Sequence, residues 1–258
     1  MIIAIDGLDG AGKETTCKLL SERISTGLSE AKGVPIDTYI HSFPDYTIES
    51  GMVIANVLAG NEVIDVPPAI KIHMVVTLFA YNRKEHLDMF KKKYGPDIFD
   101  KDNTVHIFDR YWASNILYQG LGKSDFMLAK FAEYCKAVDV IYGNVLPDIY
   151  YFLRVPYSIL YKRIRSRKSK AGIEHDMYED DSFQKAVYHL SEYILANPQR
   201  DRQLEIYDKV INAYETHVNG LALPEPTDRP VESIVDEIYD HFYLYTGMVG
   251  KERRVNQS

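Results

Sequence analysis

The chain has 258 residues, 46% hydrophobic and 26% charged, and its 30 Lys and Arg against 37 Asp and Glu give a net charge of −7 and a pI near 5.6. That balance argues against a nucleic-acid polymer as partner, because holding a phosphate backbone needs a positive excess. Two cysteines, Cys17 and Cys135, are too few for a disulfide framework, and the eight histidines lack zinc-type spacing; with no basic leader and no apolar run of membrane length, the expectation is a cytoplasmic, soluble α/β domain spanning 1–258.

Residues 1–6 read as a short strand covered on both faces. They run directly into Gly7-Leu8-Asp9-Gly10-Ala11-Gly12-Lys13, a glycine-rich loop set where a helix should begin. Such a loop turns backbone N–H groups onto an anion, the lysine adds a point charge, and the helix contributes the positive end of its dipole. One position departs from the strict phosphate-loop pattern: Glu14 stands where a Ser or Thr hydroxyl normally follows the lysine and meets magnesium. Thr15 and Thr16 do not replace it, since each further helical residue is rotated by about 100°.

The first helix is predicted over 13–28, ended by Gly27 or Gly33. A strand at 37–43 stops at Pro44-Asp45, and a helix follows at 48–58. In the long helix predicted at 69–93, Val75, Phe79 and Arg83 share a face. The strand at 104–109 carries Asp109-Arg110-Tyr111 at its carboxyl end, where open parallel sheets place their ligands. Ser114, Asn115 and Tyr118 then share a helical face, with Ser114 equally readable as a capping group. A helix at 125–142 and a strand at 148–153 precede a helix after Pro156 that ends in the basic run Arg163, Arg165, Arg167, Lys168, Lys170. Residues 178–214 read as helix interrupted near Asn197-Pro198, with the last strand at 217–219 and a terminal amphipathic helix at 231–245. This alternation predicts a doubly wound parallel sheet.

Four segments in this order carry a resemblance: the phosphate loop, Phe43-Pro44-Asp45-Tyr46, Leu78-Phe79-Ala80-Tyr81-Asn82-Arg83, and Asp109-Arg110-Tyr111-Trp112-Ala113-Ser114-Asn115 with Tyr118-Gln119. Together they resemble the thymidylate kinase family, whose members transfer the γ-phosphoryl of ATP to dTMP. The likeness covers most of residues 1–180 and thins beyond Asp181. It implies a P-loop kinase fold with an open five-stranded parallel sheet and helices on both faces. It further implies a basic lid at about 163–176, a variable region at about 182–230 and a homodimer.

On the donor side the resemblance assigns ATP to Gly7, Gly10, Ala11, Gly12, Lys13, Glu14, Thr15 and Arg163. On the acceptor side it implies that Phe79 stacks on thymine, that Arg83 and Asn115 meet the base edge, and that Tyr118 closes over the sugar at C2′. Arg110 grips the acceptor phosphate, with Asp9, Phe43, Tyr46, Ser114 and, more weakly, Tyr178 beside the nucleotide. Asp9 would repel both substrates as a bare anion, so it must act through magnesium, a hydroxyl or an arginine. Mg²⁺ is implied as cofactor, with Glu14 ligating it or holding its water, and Asp109 either meeting it through water or pairing with Arg110.

Where the phosphate loop has Gly10, the family supplies a neutralising arginine from the lid. Arg163, Arg165 and Arg167 are the candidates, and Arg167 joins Lys13, Arg110 and Asp9 in the expected catalytic set. Two other functions share the phosphate loop: a deoxynucleoside kinase, which would need a carboxylate base beside a sugar hydroxyl, and a nucleotide-binding protein without turnover.

Overall fold

The computed structural model describes residues 1–60, 66–171, 180–196, 206–218 and 221–255. Five strands, β1 (Ile2–Gly7), β2 (Asp37–Ser42), β3 (Thr104–Asp109), β4 (Ile149–Arg154) and β5 (Lys209–Asn212), form one parallel sheet in the order β2-β3-β1-β4-β5. The three inner strands are almost wholly buried, as their unbroken apolar runs require when helices cover both faces. The register sets the carboxyl ends level, because Ile5 pairs with Asp109 and Ser42 also pairs with Asp109. Three loops, after β1, β2 and β3, therefore open at one height on the same edge of the sheet.

Helix α1 (Lys13–Lys32) leaves the phosphate loop directly. Gly33, at φ +66°, ends it, whereas Gly27 stays inside the helix, where Tyr239 packs against it. Helices α2 (Glu49–Leu58) and α3 (Pro68–Tyr94) follow β2, and α4 (Trp112–Gln119) and α5 (Asp125–Ile141) follow β3. Helix α6 (Tyr157–Ala171) carries the basic run, and α7 (Asp181–Ala196) follows.

The expected strand at 217–219 is corrected: β5 lies at Lys209–Asn212. Its signal is weak because Ile211 is the one buried side chain of its four residues. Residues 217 and 218 instead belong to an antiparallel hairpin, β6 (Tyr214–Val218) and β7 (Leu221–Asp228), outside the main sheet. Helix α8 (Val231–Val255) runs ten residues past the predicted 245 and packs along α1. Among the described residues no helix is long and apolar enough to cross a membrane.

Candidate active site

Gly10 and Gly12 take φ values of +82° and +91°, which side chains rarely adopt, so the loop turns as its sequence demands. Gly12 is also the N-cap of α1 and makes no side-chain cap, leaving the helix's first N–H groups facing the loop. Lys13 is buried, and its ammonium donates to the carbonyls of Gly7 and Leu8, both at 2.9 Å. Burial, and next the Arg110 charge, pull it down to about 8. Arg163 reaches across from α6, its Nη1 donating to the Gly10 carbonyl at 2.7 Å and its Nη2 pairing with Asp228 of the hairpin at 3.1 Å. A cavity of about 770 Å³ opens here, walled by Asp9, the loop, Glu14, Thr15, Asp109, Arg110 and Arg163.

The second cavity, about 160 Å³, is lined by Asp9, Phe43, Tyr46, Phe79, Arg83, Arg110, Ser114, Asn115 and Tyr118 among others. Every described acceptor-side residue of the sequence analysis thus meets in one place. Phe79 is only partly buried and forms part of the wall. Arg83 is no solvated surface charge: it is 2% exposed and gives Nε and Nη2 to the two oxygens of Asp139 at 2.7 and 2.6 Å. Asn144 steadies that carboxylate, donating to Asp139 at 2.8 Å and to the Ala80 carbonyl at 2.9 Å. The amide nitrogen of Asn115 is buried with no hydrogen-bond partner among the described residues, an available donor at the cavity.

Asp9 and Arg110 belong to both cavities and form the wall between them. Arg110 Nη2 donates to Asp9 Oδ1, and Tyr118 (3.0 Å) and Gln184 (2.9 Å) donate to Asp9 Oδ2. Burial opposes the charge on Asp9, but Arg110 and Lys13 outweigh it and bring its carboxyl down to about 2. Of the roles open to Asp9, pairing with an arginine and a hydroxyl is therefore present. Arg110 sits at φ +68°, a left-handed backbone that is strained for a residue with a side chain, its N–H held by the Ile5 carbonyl at 3.0 Å.

Sequence reasoning missed Gln184, Asp139 and Asp6. Asp6 is fully buried, accepts from Ser114, and is pushed up to about 6, by burial above all. As the lone charge in an apolar strand it carried a readable signal; Gln184 and Asp139 carried none.

The two metal candidates differ. Glu14 is exposed and paired with Lys18 at 2.7 Å. Asp109 does not pair with Arg110; its Oδ1 is buried in the wall of the larger cavity without a hydrogen bond to any described residue. That orphaned carboxylate oxygen fits Mg²⁺, which is bound through one or two carboxylates and substrate phosphates. Among the described residues no group of three or more His, Cys, Asp or Glu is placed to hold a metal unaided. The side chain of Arg167 and the whole of Tyr178 lie outside what is described.

A glycine loop opening a helix at the carboxyl end of the central strand of a 2-3-1-4-5 parallel sheet, with a second cavity sharing one arginine and one carboxylate, defines a P-loop nucleotide kinase. The family model for thymidylate kinase matches residues 5–207, and the chain belongs to that family, whose members phosphorylate dTMP. A probable thymidylate kinase of Thermococcus kodakarensis is 30% identical over 217 residues, 83% of this chain and 90% of its own length. A thymidylate kinase of Arabidopsis thaliana is 28% identical over 188 residues, 72% of this chain and 58% of that longer protein. In fold the chain is similar to thymidylate kinase from Candida albicans, at TM-score 0.58 and 18% identity, covering 95% of this chain and 92% of that one.

Proposed function

We propose that this chain transfers the γ-phosphoryl of ATP directly to the phosphate of dTMP, giving dTDP and ADP. The observation that carries the reading is the shared wall of Asp9 and Arg110 between a cavity built on the phosphate loop and one lined by Phe79, Arg83 and Asn115. The acceptor phosphate is already ionised, so no base is required and placement with charge neutralisation suffices.

Arg110 aligns the acceptor phosphate with its planar fork while Asp9 braces it from behind. Lys13 exchanges its carbonyl partners for donor phosphate oxygens. Arg163, already at the loop, is favourably placed to neutralise charge on the transferring group, and Arg167 is the alternative further along the lid. Phe79 offers a stacking face, Arg83 and Asn115 read the base edge, and Tyr118, tied to Asp9, limits the space at the sugar. Mg²⁺, held through Asp109 with Glu14 at the outer edge, would neutralise donor phosphate charge when bound.

The proposal includes a two-fold dimer. On α3, Ile70, Met74 and Tyr81 lie along one stripe and are 50%, 44% and 48% exposed, a face suited to a second copy of the chain. We place the enzyme in the cytoplasm, in keeping with its two unpaired, buried cysteines. A coupled assay of ADP release against thymidine, deoxycytidine, dTMP and dUMP tests the reading. Turnover of dTMP with none of thymidine is expected; turnover of nucleosides alone would make the chain a deoxynucleoside kinase.

A further inference from the structure

Behind the acceptor loop three histidines and one aspartate form an unbroken hydrogen-bonded row that the reaction as described does not use. Asp45 Oδ2 meets His86 Nδ1 at 2.7 Å, and His86 Nε2 meets His41 Nδ1 at 2.9 Å. His41 Nε2 meets His106 Nδ1 at 3.1 Å, and His106 Nε2 meets the Ile98 carbonyl at 3.2 Å. The row joins the 43–46 loop, α3, β2 and β3. His41 and His106 are 1% and 0% exposed, while the side chains of His86 and Asp45 are 20% and 16% exposed.

Counting hydrogens fixes the charge of this row. Each of its four junctions needs one hydrogen. Asp45 Oδ1 accepts from the Thr47 N–H at 2.9 Å and the Thr47 hydroxyl at 2.6 Å; burial opposes the charge, but these bonds and the contact with His86 outweigh it and hold the carboxyl below its usual range, so it is ionised and Oδ2 accepts as well. The Ile98 carbonyl can only accept. The hydrogens at all four junctions must therefore come from three imidazoles, which in their neutral forms supply three. One ring must be doubly protonated.

Its position follows from the surroundings. His41 is enclosed by Phe90 (4.6 Å) and Phe108 (5.2 Å), and His106 by Phe99 (4.3 Å) and Tyr39 (5.3 Å). Burial first, and then the neighbouring rings, push His41 well below the usual imidazole range; burial brings His106 down to about 4. The Lys91 ammonium, over Phe99 at 5.7 Å, adds positive charge on the His106 side. Near the other end stand Asp45 and, on the same helix as His86, Glu85, which accepts from the Ser50 N–H at 3.2 Å. The charge belongs on His86, against Asp45.

We propose that His86 is a positioning residue for the acceptor: as an imidazolium paired with Asp45 it holds the 43–46 loop in place, and losing that proton weakens acceptor binding. The inference rests on the reading that Phe43 and Tyr46 of this loop contact dTMP. Asp45 is the hub of the loop. Asn82 accepts from its backbone N–H at 2.8 Å and donates to its carbonyl at 3.0 Å, but among the described residues only His86, through His41, links its carboxylate to the sheet. Removing one hydrogen from the row leaves one junction with two lone pairs facing each other, which loosens the chain of contacts at its weakest member.

The experiment compares the wild type with His86→Gln, whose amide can still donate to Asp45 but does not titrate. In the wild type KM for dTMP should rise by about tenfold between the acid and the alkaline ends of a pH series, the scale of one charge-assisted hydrogen bond, with kcat changing far less. Ionisation of dTMP itself is common to both proteins and cancels in the comparison. His86→Gln should start with the raised KM and lose the excess pH dependence, with KM for ATP unchanged. Identical pH profiles in two proteins that both turn over dTMP would overturn the inference alone; absence of dTMP turnover in both would overturn the functional reading and the inference with it. Should the variant fail to fold, long-range ¹⁵N–¹H spectra of the wild-type histidines decide: while the row is intact one of its rings should have both nitrogens protonated and the other two one each. Three neutral rings would contradict the proposal.

Discussion

Lys13 and Arg83 show how burial changes what a charged side chain can do. Lys13, brought down to about 8 with no phosphate present, is cationic below that pH and loses its charge above it. Donor phosphates favour the charged form, so kcat/KM for ATP should fall as pH rises past about 8, while kcat, which reports the occupied site, should hold to higher pH. A kcat/KM for ATP that stayed flat up to about pH 10 would show that the lysine is not held in this state. Arg83 is fixed by Asp139 before any base arrives, and Asp139→Asn would leave its cation buried without a counter-charge. A loss of about 3–5 kcal/mol in unfolding free energy is expected, read as a lower denaturation midpoint; a change within 1 kcal/mol would mean that the pair contributes little. The spacing of four puts Arg83 on one helix face with Phe79, but its place at the base came from the family resemblance, since periodicity alone reads equally as a core phenylalanine and a solvated arginine. Asp139, 56 positions away, was not legible, because its pairing is made by tertiary packing alone.

At the level of elements, the acceptor loop is shaped by what α2 leaves out. A Cβ built on Gly51 would stand 1.8 Å from the Asp45 carbonyl oxygen and 2.7 Å from Tyr46 Cα, so the loop lies directly on the helix backbone. Gly51→Ala should push residues 45 and 46 away, raising KM for dTMP by about tenfold or more and leaving KM for ATP nearly unchanged; equal effects on both substrates would indicate a general loss of structure instead. Strands covered on both faces could be placed closely from sequence, and 104–109 matches β3 residue for residue. β5 and the hairpin were not legible: an edge strand of four residues has too few buried positions to stand out from its surroundings. The histidine row was equally hidden, since 41, 86 and 106 meet only after β2, β3 and α3 pack together.

For the molecule as a whole, the charge balance argues against a polymer partner, and the order of four short motifs was enough to indicate two adjoining cavities. What could not be read was the wall between them, because Arg110 with Asp9, Tyr118 and Gln184 draws on four separate parts of the chain. If the exposed stripe on α3 is a subunit contact, sedimentation at micromolar concentration should give about twice the mass of one chain, and Met74→Lys should reduce it to that of one. A single-chain mass for the unaltered protein would remove that face from the account. The most direct test of the central claim is a crystal structure with dTMP and a non-hydrolysable ATP analogue bound together. The account predicts thymine against Phe79, the acceptor phosphate on Arg110 and the donor's last phosphate in line with it over Lys13; a nucleotide monophosphate seated away from Arg110 would contradict it.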